Sequence, residues 1–180
     1  MASTTFTTNH LTPHEAISDA AIRLVQALDD RSPELLASSL TEDASYDLRP
    51  FSFLADFGLL VGRENIVTKL LNAVGDKDTT HMLSNFRTQL SEDGKTAKLT
   101  CYALAQHWRP GQGQSWVFGN CYLMGNRYDG ELVKGDDGLW RFKTFVIACT
   151  WSQGDAAVMS KSDQQKTEES VRKTASQFAA

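Results

Sequence analysis

Cysteine is scarce in this chain. Of 180 residues only three are Cys, at positions 101, 121 and 149. The number is odd, none stands in a CxxC pair, and no zinc spacing occurs, so neither a disulfide scaffold nor a structural metal site is expected. All three fall in segments that read as strands, where free thiols in a reducing compartment are the ordinary state. No apolar run approaches the roughly 18 residues of a membrane span. The opening MASTTFTTNHLTPHE has neither a basic nor an apolar block, so no secretory signal is expected and a cytoplasmic location is. Basic excess is also missing: 18 Lys+Arg against 22 Asp+Glu give a net charge of −4. A nucleic-acid binder needs a basic face for phosphate, and this balance speaks against one. There is no GxGxxG and no P-loop, hence no nucleotide fingerprint, and no cofactor is expected.

What remains is ordinary globular material, 41% apolar and 22% charged, long enough for one domain with a core that needs no staples. Residues 1–11 read as a flexible arm, 12–155 as the folded domain, and 156–180 as a polar tail. Thr12-Pro13-His14-Glu15 is a capping box with proline at the first helical position. Ile17, Ala21, Leu24, Val25 and Leu28 follow at helical spacing, predicting a helix from Pro13 to Asp29 or Asp30. Ser32-Pro33-Glu34 repeats the start signal for a short helix carrying Leu35, Leu36 and Leu40. A short strand is expected from Ala44 to Arg49, an irregular apolar segment from Pro50 to Leu60, and a third helix from Arg63 to Val74 with Gly75 as its stop.

The period then changes from about 3.6 to 2. Strands are predicted over 81–90, 96–109, 115–134 and 139–151, joined by turns at Asp93-Gly94, at Pro110 to Gly113 and at Asp137-Gly138. Helices first and a four-stranded antiparallel meander after is an α+β order. A strongly twisted sheet with long strands can curl around a helix and leave a cone-shaped pocket. The even face of the third strand mixes rings with amides: Trp116, Phe118, Asn120, Tyr122, Met124, Asn126 and Tyr128. Such a face suits a pocket for a hydrophobic or polycyclic small molecule; the alternative is that it packs under the helices or forms a subunit interface. Val117, Cys121 and Leu123 lie on the opposite face.

Four stretches carry a resemblance. They are Ala27-Leu28-Asp29-Asp30-Arg31, Thr80-His81-Met82-Leu83-Ser84-Asn85, Gly125-Asn126-Arg127-Tyr128-Asp129-Gly130-Glu131, and Asp136-Asp137-Gly138-Leu139-Trp140-Arg141-Phe142. In this order they resemble the SnoaL-like branch of the NTF2-like superfamily, the cone-shaped α+β fold. Within it the chain is most similar to scytalone dehydratase, hexachlorocyclohexane dehydrochlorinase and polyketide cyclase-like proteins. The resemblance implies an Asp–His dyad, at Asp29 and His81. It also implies a homodimer or homotrimer.

The chain departs from that pattern in places. Leu28 stands where scytalone dehydratase has a tyrosine before the dyad aspartate. Tyr46 is the candidate for its second tyrosine. Its second histidine falls at Gln106 or His107, and its inward asparagine at Tyr128 or Asp129. From the residues themselves, His107 near a strand end reads as a surface histidine. Tyr128 is a candidate donor to an oxyanion. Tyr46, Phe53, Trp116, Asn120, Asn126 and Asp129 are candidates for substrate contacts, with Phe53 in a segment that could cover the pocket mouth.

A carboxylate beside an imidazole fixes which ring nitrogen is free. The free nitrogen can take a proton from carbon next to a carbonyl and return it to a departing hydroxyl. Expected is therefore a cofactor-independent dehydratase, isomerase or cyclase acting on a polyketide- or terpenoid-derived secondary metabolite. The alternative is a non-catalytic ligand-binding or association module of the same fold.

Overall fold

The computed structural model describes residues 10–54, 56–114 and 119–160. The first helix, α1 (Pro13–Asp29), begins as the sequence predicts: Thr12 Oγ1 accepts from the Glu15 amide, and the Glu15 carboxylate accepts from the Thr12 amide at 2.7 Å. The apolar positions Ile17, Ala21, Leu24, Val25 and Leu28 are buried, while Ile22 faces out on the opposite side. The end of α1 is fixed as firmly as its start. Arg31 adopts a left-handed conformation, φ +56°, where glycine is usual. The Ser32 amide donates to the Ala27 carbonyl at 2.9 Å and the Arg31 amide to the Leu28 carbonyl. That double bond pattern is a Schellman stop, and it places Asp29 in the last helical turn.

The short helix α2 (Pro33–Ser38) is capped by Ser32. It ends two residues before Leu40, which instead opens strand β1 (Leu40–Asp47). A 3-10 turn (Arg49–Phe51) and a three-residue strand β2 (Leu59–Val61) overlap the two ends of the stretch expected to be irregular. Helix α3 spans Arg63–Val74, with Ile66, Leu70 and Val74 buried. Four long strands follow: β3 (Asp78–Leu90), β4 (Thr96–Trp108), β5 (Cys121–Lys134) and β6 (Trp140–Gly154). The strand expected from residue 115 starts at Cys121, after Gly119 at φ +77°. Ala156–Met159 forms a 3-10 turn with Val158 buried, so the expected polar tail begins with a packed segment.

The strands make one six-stranded sheet in the order β2-β1-β6-β5-β4-β3. The expected meander β3 to β6 is antiparallel throughout. The early strand β1 joins its β6 edge in parallel, with Tyr46 opposite Phe145. Slips in pairing at Ser84/Arg87, Gly125/Asn126 and Glu131/Leu132 bend the strands, as bulges do. At the first, Asn85 takes the left-handed conformation, φ +54°. The curved sheet wraps α1 and α3 on its inner face.

One buried cluster runs from Ile17 and Leu24 through Leu36 and Ile66 to Leu99, Phe142 and Phe145. Arg23 pins α1 into place, donating to the Ser38 carbonyl at 2.5 Å and to the Trp140 carbonyl at 2.7 Å. The three cysteines are free. Cys101 is deep in the core, and burial pushes its thiol up to about 12, so it is inert at neutral pH. Cys121 and Cys149 are half-buried. No helix among the described residues is long and apolar enough to cross a membrane.

Candidate active site

The C-terminal end of α1 faces the start of β3, an edge strand of the sheet. There the Asp29 carboxylate takes three hydrogen bonds. His81 Nδ1 lies 2.7 Å from Oδ1, the His81 amide donates to Oδ2 at 2.9 Å, and Thr79 Oγ1 donates to Oδ1 at 2.7 Å. A carboxylate in the last turn of a helix opposes the helix dipole. Burial opposes its ionisation too. The hydrogen bonds from the His81 ring and amide, the nearby imidazole and the Thr79 hydroxyl outweigh burial and hold the Asp29 carboxyl below its usual value. Asp29 is therefore ionised at neutral pH. An ionised carboxylate only accepts, so the proton between the two groups sits on His81 Nδ1 and Nε2 is the free nitrogen. The His81 side chain is 4% exposed and that of Asp29 21%.

His81 forms part of the wall of a cavity of about 430 Å³. Asp29 does not line it. The carboxylate stands behind the imidazole and orients it. Most of the wall is apolar: Leu28 from α1, Leu70 and Val74 from α3, Ala105 from β4, Met124 from β5 and Ile147 from β6. One side is closed by Phe51, Leu54, Phe57 and Leu60 from the irregular segment, and by Met159 from the turn after β6. Small side chains at Ala103 and Ala105, both buried, leave room above the sheet. Ala105 is the cross-strand partner of His81, so little stands beside the ring.

Polar groups break the apolar wall at a few points. Tyr46 and Tyr128 are buried and line the cavity. Burial raises both phenols, Tyr46 well above the ordinary value, so each is a neutral donor. Asn126 is also buried in the wall, and its Oδ1 has no hydrogen-bond partner.

His107, expected at the surface, is 1% exposed and lines the cavity. Its ring meets that of His81 edge to face, centroids 5.4 Å apart. His107 Nδ1 lies 3.3 Å from the Tyr122 carbonyl, which can only accept, so Nδ1 carries the proton. Burial first, and then the neighbouring His81, push its pKa down to about 4. The alternation of β4 contained the signal for this residue. Ala97, Leu99, Cys101, Ala103, Ala105 and His107 share one parity, and all six are buried.

Other expected residues fall elsewhere. Phe53 is 57% exposed and stacks on Phe51 at 5.8 Å; Phe51 and Phe57 occupy the wall in its place. Asp129 is exposed on the outer face, because Tyr128 points inward and successive strand residues alternate. Asn120 is buried but precedes β5, bonds to Gln112 and does not line the cavity. Trp116, with Val117 and Phe118, lies outside the described residues. Lys77, which no pattern in the sequence singled out, is buried in the wall. His14 is a surface residue bonded to Thr88.

Residues 9–146 match the pattern of the SnoaL-like domain. The chain is 37% identical over 152 residues to terrestric acid biosynthesis cluster protein E of Penicillium crustosum, covering 84% of this chain and 92% of that protein. Solved structures share the fold at lower identity. One is a Novosphingobium aromaticivorans protein assigned as a scytalone dehydratase, at TM-score 0.63 and 24% identity, covering 78% of this chain and 85% of that one. Another is a hexachlorocyclohexane dehydrochlorinase from Novosphingobium barchaimii, at TM-score 0.62 and 20% identity, covering 78% and 88%.

Proposed function

We propose, from the premise that this chain belongs to the SnoaL-like family, that it is an acid/base enzyme: a dehydratase, isomerase or cyclase whose base is His81. The observation that carries the reading is the 2.7 Å contact between His81 Nδ1 and the ionised Asp29, with the His81 ring in the wall of an apolar cavity. That arrangement leaves Nε2 with a lone pair and gives the imidazolium, once formed, an anion behind it.

A substrate carbonyl near Tyr46 and Tyr128 would meet two neutral phenol donors. As Nε2 removes a proton from the adjacent carbon, charge builds on the carbonyl oxygen, and the phenols stabilise it in a low-dielectric site. The proton on Nε2 then returns. Delivered to another carbon it shifts a double bond, and delivered to a hydroxyl it releases water. In a cyclase the enolate carbon instead attacks a second carbonyl of the same molecule, whose oxygen takes the proton. His107 is neutral near pH 7, so it supports His81 as a dipole and does not compete as a second cation.

The similarity to a protein of the terrestric acid biosynthesis cluster favours a secondary metabolite as substrate, of polyketide or terpenoid origin. Self-association belongs to the same reading. On the outer face Met82 pairs with Leu104, Leu104 with Gly125, and Gly125 with Trp151, whose indole covers the glycine. Met82, Leu104 and Trp151 are each about half exposed, which leaves an apolar row that a second copy would cover.

The test is proton exchange in deuterated buffer with small enolisable polyketide-like ketones. Deuterium should enter the α carbon with wild type and not with His81→Ala or Asp29→Asn, both checked for folding. Exchange that survives His81→Ala removes the mechanism. A protein that binds the ketones without any exchange is the non-catalytic module.

A further inference from the structure

Lys77 follows α3 in the turn before β3, and its side chain is 2% exposed. Its backbone is held on both sides: the amide donates to the Val74 carbonyl at 3.0 Å, and the carbonyl accepts from Arg31 at 3.2 Å. The ammonium lies 2.7 Å from Asp76 Oδ1. An ammonium has three donors, and a buried charge is tolerated when it is paired and its donors are used. Among the described residues Asp76 is the one partner of Lys77 Nζ. Two donors are left over on a side chain that lines the cavity. They do not go to Asp29, whose three hydrogen bonds come from Thr79 and His81, and the second oxygen of Asp76, Oδ2, is itself buried with no donor. In the same wall Asn126 Oδ1 is a buried acceptor with no donor.

We propose that the cavity is built for a small organic acid, with an anionic ligand oxygen held by Lys77 and a ligand donor, such as a hydroxyl, held by Asn126. A carboxylate and an ionised acidic enol present the same charged oxygen to the ammonium. The inference rests on the reading of this cavity as the substrate site and names the class of molecule that enters it. It also assigns Lys77 a binding role separate from the proton transfer at His81.

The test is calorimetric binding of two matched pairs: 2-naphthoate against neutral 2-naphthamide, and 4-hydroxycoumarin, ionised at neutral pH, against 4-methoxycoumarin. Wild type should bind at least one ionised probe about tenfold more tightly than its neutral partner, and the pair that discriminates tells carboxylate from enol. Lys77→Met should abolish the preference while the neutral probe binds as before, and Lys77→Arg should restore part of it. His81→Ala should keep the preference, so a failed proton-transfer mechanism leaves this assignment standing. In unmutated protein the Lys77 15Nζ resonance should move with the ionised probe and stay with the neutral one. No preference in either pair, including no binding of either ionised probe, overturns the proposal. So does a preference that survives Lys77→Met.

Discussion

His107 offers a sharp quantitative test of the cavity. Buried and neutral, it is held at a pKa of about 4 against an ordinary 6.5. Above pH 6.5 the ring is neutral in both folded and unfolded chains, and stability does not depend on it. As the pH falls from 6.5 towards 4 the unfolded chain takes up a proton that the folded chain refuses, so stability drops. Below 4 both forms are protonated and the loss levels off. The gap of 2.5 pH units, at 1.36 kcal/mol each, gives a loss of about 3 kcal/mol, of which about 2 is reached by pH 5.

In a chain of this size that corresponds to a fall in Tm of roughly 6–12 °C. The assay is urea unfolding of wild type and His107→Gln at half-unit steps between about pH 7 and pH 4. Glutamine keeps a donor for the Tyr122 carbonyl and does not titrate, so the difference between the two curves isolates His107 from every carboxylate. Wild type should lose more stability than the variant over this window. Parallel curves would mean that water or a charge partner reaches the ring, and the description of a dry neutral histidine beside His81 would fail.

Two further predictions follow from the same geometry. Asp29→Asn cannot accept three donors and offers an amide N–H to His81, so the proton moves from Nδ1 to Nε2. Nitrogen NMR of the ring should report that tautomer change, exchange activity should fall about 10²-fold or more, and stability should fall by roughly 2 kcal/mol. The carboxylate stabilises the fold above the ordinary aspartate value near 3.9 and ceases to as the pH drops below its lowered value, so the wild type and Asp29→Asn should converge in acid. On the outer face, Leu104→Glu puts a charge in the middle of the apolar row; light scattering should show a smaller species than wild type, and an unchanged mass would place self-association elsewhere.

The helical part of this fold is legible residue by residue. Thr12-Pro13-His14-Glu15 fixes the start of α1, and α3 runs from Arg63 to Val74 as its apolar spacing predicts. Local chemistry decides those boundaries, and local chemistry is what a sequence displays. The sheet is legible in its hairpins and in the presence of its first strand, but not in where that strand pairs. That β1 lies parallel to β6 depends on a crossover of about a hundred residues, and no short pattern encodes it.

Within the candidate site, the contact between Asp29 and His81 is readable because a known pattern places both residues. Tyr128 and Asp129 could not be separated, because one residue of hairpin register exchanges the two faces of a strand. His107 was within reach by parity. Proximity to the strand end suggested solvent, but its neighbours on that face, Ala105 and Ala103, are small and buried. Lys77 was not within reach at all. In Gly75-Asp76-Lys77-Asp78 it looks like a polar turn, and only its place between the end of α3 and the start of β3, beside Arg31 after α1, buries it.

The features that work against stability converge on one place. An acid ends a helix at Asp29, a left-handed Arg31 follows it, a histidine is kept neutral, a lysine has unused donors, and Asn126 Oδ1 has no partner. A chain tuned for stability alone would fill this space with apolar side chains. Asn126 makes the argument testable by itself. A buried acceptor without a partner costs about 1–3 kcal/mol, and leucine is nearly isosteric with asparagine. Asn126→Leu should therefore raise the urea midpoint, by an amount equivalent to roughly 1 kcal/mol or more, while binding of hydroxylated acids weakens. Added stability together with lost affinity would identify the amide as a group kept for a ligand. A drop in stability would show that the amide serves the fold, and Asn126 would then say nothing about what enters the cavity.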